Sequence, residues 1–207
     1  MNWLGLLGIA SLLSFAAAVV LAPLAYPDYN WLSQAVSDLS ASNAPSLTLS
    51  NQLSALFEPC GIVCVTMVCV AIQGKLNKTL RSGIYSFAAM TWITGVGYTM
   101  FPLTESGLAS TLQDFKHGVV TVLVVALSII SLVLIMIGGY RKRRFLSLAI
   151  WATIALAGMC AGAIGFNLVP PEYFGLFERF SLFAATGFNA VLGLYLFTGK
   201  LNIGGCV

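Results

Sequence analysis

Histidine is the residue type that titrates near neutrality, and this chain has a single one, His117. Set beside Ser33 or Ser37 and oriented by Asp38, Asp114 or Glu58, it has the makings of a nucleophile, base and acid. Neither serine lies in a G-x-S-x-G turn, the sequence context that exposes a serine nucleophile. Binding asks less of the same residues. Arg179 can hold an anionic group through two parallel N–H donors. Asp38 and Glu58 can orient that guanidinium and accept donors from a ligand, while Ser37 and His117 add hydrogen bonds that sharpen selectivity. The ligand-binding set read from the sequence is therefore Ser37, Asp38, Glu58, His117 and Arg179, with Glu178 and Asp114 in the surrounding network. The competing reading is purely structural: an Arg179 bridge to Asp38 or Glu58 that locks the helices together.

These few groups stand in an apolar background. Of 207 residues, 58% are hydrophobic and 8% charged, and the mean hydropathy is +0.91. A soluble domain carries about 25% charged residues, so this composition belongs in lipid. The net charge of +3 comes without an aromatic-interleaved basic patch, and nucleic acid is set aside as a partner. Cys60, Cys64, Cys69 and Cys160 lie inside apolar runs, where cysteine behaves as a small hydrophobe. Cys60 and Cys64 share a helix face but lack further ligands, so neither a metal nor another cofactor is expected.

The apolar runs predict an all-α polytopic bundle of six membrane-spanning helices in a single domain over 1–207, at roughly 3–21, 50–72, 84–101, 115–137, 145–169 and 176–197. The first run lacks a basic n-region and is too long for a signal peptide, so it is read as a span. Between the first two helices, Asn30 to Ser40 alternates apolar and polar residues at helical spacing and predicts a short amphipathic helix lying over the outer face. Eight of the ten basic residues fall in the loops after the second and fourth helices and at the start of the tail. The positive-inside rule then puts both termini in the cytoplasm. All seven acidic residues, Asp28, Asp38, Glu58, Glu105, Asp114, Glu172 and Glu178, fall on the opposite half. Solvating charge explains the loop residues, but Glu58 and Glu178 sit inside helices, where an ionisable group marks a functional site by default.

Helical spacing also collects polar stripes: Asn51, Ser54 and Glu58 in the second helix, just before Pro59; Thr91, Thr94, Gly95 and Tyr98 in the third; Asp114, His117, Thr121 and Ser128 in the fourth; Arg179, Thr186, Asn189 and Gly193 in the sixth. The third stripe, and the small face Gly158, Ala161, Gly162 and Gly165 of the fifth helix, read as close-packing surfaces. The tetrapeptide G-K-L-N recurs at Gly74–Asn77 and Gly199–Asn202, after the second and sixth helices. An inverted three-plus-three repeat would pair the second helix with the fifth, so the recurrence is no sign of duplication.

The S-x-x-x-S-D-L run carried by Ser33, Ser37 and Asp38, the histidine His117 opening the fourth helix, and the G-L-F-E-R stretch with Gly175, Glu178 and Arg179 resemble a family of six-helix prokaryotic membrane proteins grouped as domain of unknown function 998. The resemblance covers nearly the whole chain. It implies the six-helix fold and a shared outer-face site, and no particular reaction. More distantly, the S-D-L loop and helix layout are similar to the Frag1, DRAM and Sfk1 group, which implies an association with lipids. The alkaline ceramidase and progestin receptor superfamily needs three histidines for its zinc, and this chain has one.

Three functions follow from the sequence. The first is a binding protein whose outward-facing pocket takes a membrane lipid's head group or a small anionic ligand. The second is a metal-independent hydrolase or transferase of outer-leaflet lipids using His117 with Ser33 or Ser37. The third, a small transporter, is disfavoured because no charged residue falls at the bilayer midplane, where coupling sites lie.

Overall fold

A hydrocarbon layer offers no water to backbone N–H and C=O groups, so a chain this apolar must pair them within itself. It does so as helices. The computed structural model describes residues 2–104 and 111–201, and no strand occurs among them. After a 3-10 turn at Asn2–Leu6, the helices are α1 (Leu7–Leu21), α2 (Leu47–Leu53), α3 (Phe57–Ala71), α4 (Lys78–Met100), α5 (Leu112–Tyr140), α6 (Leu146–Leu168) and α7 (Phe174–Phe197).

From α3 onward each helix packs on the next, and α1 closes the bundle by packing against both α3 and α7. Phe87 of α4 and Phe188 of α7 meet edge to face in the middle, 5.2 Å between ring centroids. Val68, Ile84, Leu132, Ile135 and Leu192 complete a fully buried core around them. Small residues set how near the backbones come. A Cβ on Gly5 would meet the carbonyl oxygen of Gly193, and one on Gly193 would meet that of Gly5. The small face of α6 meets α7 in the same way, Gly158 lying on Ala184, Gly162 on Ser181 and Gly165 on Phe177.

Five segments are long and apolar enough to cross a membrane: Asn2–Ala25, Leu47–Ala71, Leu112–Tyr140, Arg143–Gly165 and Pro171–Phe197. The remaining long helix, α4, matches them in length with 23 residues but is more polar. It is also longer than its apolar run, because Asn77 caps the amide of Leu80 and starts the helix six residues before Ile84.

The second predicted helix is broken rather than continuous. α2 ends at Leu53 and α3 begins at Phe57, four residues after a site where two hydroxyls compete with the helix. Ser14 of α1 donates to the Leu53 carbonyl oxygen and accepts from the Leu56 amide, and Ser54 bonds back to the Ser50 carbonyl oxygen. Pro59 has no amide to offer the Ala55 carbonyl and its ring clashes with it, so a regular helix cannot pass through 55–59.

The expected helix over Asn30–Ser40 is a correction of a different kind. The segment is a run of turns ending in a 3-10 turn, Ser37–Ser40. One helical bond forms, from the Gln34 amide to the Asn30 carbonyl oxygen at 2.8 Å. Beyond it the backbone is claimed by side chains: Asn30 takes the Leu32 amide, Asp38 the Ala35 amide and Glu178 the Val36 amide. The apolar–polar spacing was real, but tertiary partners override it.

Charge segregates by end as expected. Asn77 donates to the Gly138 carbonyl oxygen at 3.0 Å, which ties the loop after α3 to the end of α5, and Leu76, Phe145 and Leu201 all belong to the buried core cluster. At the opposite end Leu176 donates its amide to the Leu32 carbonyl oxygen and Ser42 donates to that of Leu103, bringing together the segments that hold Asp28, Asp38, Asp114 and Glu172. Glu105 lies outside the described residues. Gly74 and Gly199, the first residues of the recurring tetrapeptide, both have φ +70 and each follows a helix end. Their likeness is that of two left-handed helix stops.

Candidate functional site

The G-L-F-E-R stretch opens α7, and its job is visible in what it holds. Gly175 lies so close to the Gln34 carbonyl that a Cβ would collide with it, which lets the start of α7 reach the 29–38 loop. One turn later Arg179, only 3% exposed, gathers that loop. Its Nη1 donates to the carbonyl oxygens of Trp31 (2.9 Å), Gln34 (3.1 Å) and Gly175 (2.6 Å), and its Nη2 donates to the Tyr29 hydroxyl (2.7 Å). The guanidinium also lies 4.4 Å from the centre of the Trp31 ring. Glu178 accepts the Val36 amide at 2.6 Å and Asp38 accepts the Ala35 amide at 3.1 Å.

Tyr29 completes this clamp by donating to the Ala35 carbonyl oxygen at 2.7 Å. Burial pushes its hydroxyl up to about 12, against the opposing pull of the neighbouring Arg179 charge. The phenol therefore stays neutral, able to donate to Ala35 and accept from Arg179 together.

Sequence reasoning named Asp38, Glu178 and Arg179 but missed Tyr29, Trp31 and Gln34. Two of those three contribute backbone carbonyls to Arg179, which no side-chain pattern reveals. Tyr29 lay in plain sight beside Asn30, and its only signal was an aromatic hydroxyl next to the polar run.

One nitrogen of Arg179 is left without any partner. Its Nε is buried and has no hydrogen-bond partner, a costly state for a charged group. Arg179 stands at the head of a cleft of about 490 Å³ between α6 and α7, roofed by Trp31 and walled by Trp151, Ile154, Phe180, Phe183 and Val191.

The remaining predicted residues form a second group on α3, α4 and α5. Glu58, in the first turn of α3, faces Gly95 of α4: a Cβ built there would stand 2.9 Å from its carboxylate. Tyr98, one turn further along α4, donates to Thr121 at 3.1 Å and stacks on His117 with centroids 4.8 Å apart. His117 donates from Nδ1 to the Phe101 carbonyl oxygen at 2.9 Å, which assigns that nitrogen the proton. The Tyr98 hydroxyl lies within electrostatic range of both Glu58 and Glu178. Among the described residues no hydrogen bond links Glu58 or His117 to the Arg179 clamp.

Ser33 and Ser37 take part in the loop through their backbones, Ser33 donating its amide to the Asn30 carbonyl oxygen and Ser37 accepting from Ser40. Neither hydroxyl bonds to His117. Asp114 belongs to neither group. It caps its own helix with Thr111 and accepts the amide and hydroxyl of Thr104 at 2.7 Å, tying the 101–104 segment to α5.

Thr91 and Thr94, read from the sequence as packing contacts between helices, bond back to the carbonyl oxygens of Phe87 and Met90 in their own helix. Asn189 does cross, donating to the Gly61 carbonyl oxygen of α3 at 3.2 Å.

Compared with known protein families, residues 9–195 match the model described as Protein of unknown function (DUF998). The likeness to the Frag1, DRAM and Sfk1 group is not shown by this match. Comparison with curated proteins and with solved structures gives no match.

Proposed function

The chain belongs to the DUF998 family of proteins of unknown function, and from that premise we propose that it binds an anionic group, of a lipid head group or a small anion, at Arg179. The observation that carries this reading is a guanidinium 3% exposed whose Nε has no partner. A buried charged donor without a partner is costly, and an anion is the group that would satisfy it. Nε is closed to solvent, so an anion in the α6–α7 cleft, which Arg179 helps to line, would pair with it only once the clamp opens around it. Asp38 and Glu178 keep the loop over the site by holding its amides. Ser37, Glu58 and His117 are not among the residues that line the α6–α7 cleft, and this reading gives them no contact with the anion. The hydrolase alternative has no comparable observation behind it, since neither the Ser33 nor the Ser37 hydroxyl bonds to His117.

The test is thermal stability of the purified protein in a neutral detergent, titrated with glycerol 3-phosphate or with phosphatidylglycerol. Wild type should gain stability with either, as any ligand that binds the folded state confers. Arg179→Lys keeps the charge but loses the planar fork and should gain none. Equal stabilisation of both proteins would overturn the proposal.

A further inference from the structure

We infer that the ligand is an amphiphile, an anionic acyl lipid whose hydrocarbon chain lies along the cleft between α6 and α7 with its head group at Arg179. This rests on the anion-binding reading of Arg179 and adds the part of the ligand that the anion alone leaves unspecified.

Apart from Arg179, the cleft is lined by apolar residues and glycine. A small soluble anion would leave that space unfilled. Along α7 the lining runs from Leu176 to Val191, and the twelve residues from Arg179 to Val191, at 1.5 Å rise, make about 18 Å. Half of a hydrocarbon core of ~30 Å is ~15 Å, so the cleft is as long as one leaflet is deep. Its polar end coincides with the loop-bearing end of the bundle, and its apolar end points toward the bundle's middle. A lipid of the adjoining leaflet has this same order of head group and chain.

Two features keep the cleft open. Gly187 lies in its floor, and a Cβ added there would meet nothing within 4 Å. Trp151 and Phe180, 48% and 47% exposed, stand as walls rather than closing over it. The buried, unpaired Nε of Arg179 supplies the complementary charge at one end only. A transmembrane helix of a partner would cover the apolar length but would bring no anion to that position unless an acidic residue stood in its outer turn.

The experiment is native mass spectrometry of the detergent-purified full chain with long-chain phosphatidylglycerol, phosphatidylcholine of the same chains, and glycerol 3-phosphate. Gly187→Leu fills the cleft floor without touching the Arg179 clamp, and its melting curve checks that the fold is kept. The wild type should retain phosphatidylglycerol at least tenfold better than phosphatidylcholine. Gly187→Leu should lose at least tenfold of that retention while still being stabilised by glycerol 3-phosphate. Unchanged retention in Gly187→Leu, with glycerol 3-phosphate still binding, overturns the cleft inference and leaves the Arg179 reading standing. If neither phosphatidylglycerol nor glycerol 3-phosphate binds wild type, both fall. A wild-type dimer that Gly187→Leu converts to monomer would assign the cleft to a second copy and overturn the lipid.

Discussion

Arg179 shows why a charged residue in an apolar chain is worth following atom by atom. Read from the sequence as the holder of an anionic group, with an ion pair to Asp38 or Glu58 as the competing reading, it is also the knot that ties three backbone carbonyls and a phenol into one place. A hydrogen bond to a charged group contributes about 1.5–3 kcal/mol, so Arg179→Met should cost on the order of 3 kcal/mol or more and visibly lower the melting temperature in detergent. An unchanged curve would mean that the loop holds without it. Tyr29→Phe removes one of these bonds together with the hydroxyl's own bond to the Ala35 carbonyl oxygen and leaves the rest, so its loss should be smaller, ~2 kcal/mol. The same hydroxyl has a pH signature. Its pKa rises from 10.0 to about 12 on folding, so the stability that comes from holding its proton is present in full below pH 10 and lost as the pH rises through about 12. Alkaline unfolding of wild type and Tyr29→Phe should therefore converge over that window; parallel curves would show that the hydroxyl is solvated.

At the scale of elements, two glycines that look alike in the sequence have opposite surroundings. Gly165 of α6 faces the Phe177 ring of α7 so closely that any Cβ must displace it, whereas Gly187 of α7 faces open space. Gly165→Ala should overpack the α6–α7 contact and cost about 1–3 kcal/mol. Gly187→Ala should instead stabilise by about 0.5–1 kcal/mol, because alanine loses less backbone freedom in a helix. Melting temperatures of the two variants measured side by side test this, and a loss in both would mean that the cleft is filled by protein. The broken α2–α3 helix belongs at this scale too. Its break places Glu58 in a first turn, beside Gly95, where a continuous helix would have buried it mid-span.

For the whole molecule, the question is which end faces the cytoplasm. The basic loops gather at one end and most of the acidic residues at the other, and we propose from the positive-inside rule that the basic end is the cytoplasmic one. In a cysteine-free background, a cysteine at Ser42 should then react with an impermeant probe added outside intact cells. One at Asn77 should react only after permeabilisation. Reversed labelling would move the Arg179 site, and the leaflet from which its lipid comes, to the cytoplasmic side.

What the sequence by itself determined is what composition and local chemistry control. A chain with 8% charged residues has no means of staying in water. Its apolar runs are long enough to span, so the helical bundle, its approximate helix limits and the separation of charge between its ends were all legible. The importance of Arg179, Glu178 and Asp38 was legible as well, because charge among apolar residues stands out. The shape of the 29–38 loop was not. A helical repeat there described the side chains correctly, yet Arg179 and Glu178, nearly 150 positions further along the chain, capture the carbonyls and the amide that a helix would have used. The partners of Arg179 were hidden for the same reason: backbone groups are identical at every residue, and only the approach of α7 at Gly175 selects which of them it meets. The cleft, finally, is a property of two helices at once. Gly158 and Gly187 are both small residues in apolar runs, and packing alone makes the first a contact with Ala184 and the second an opening.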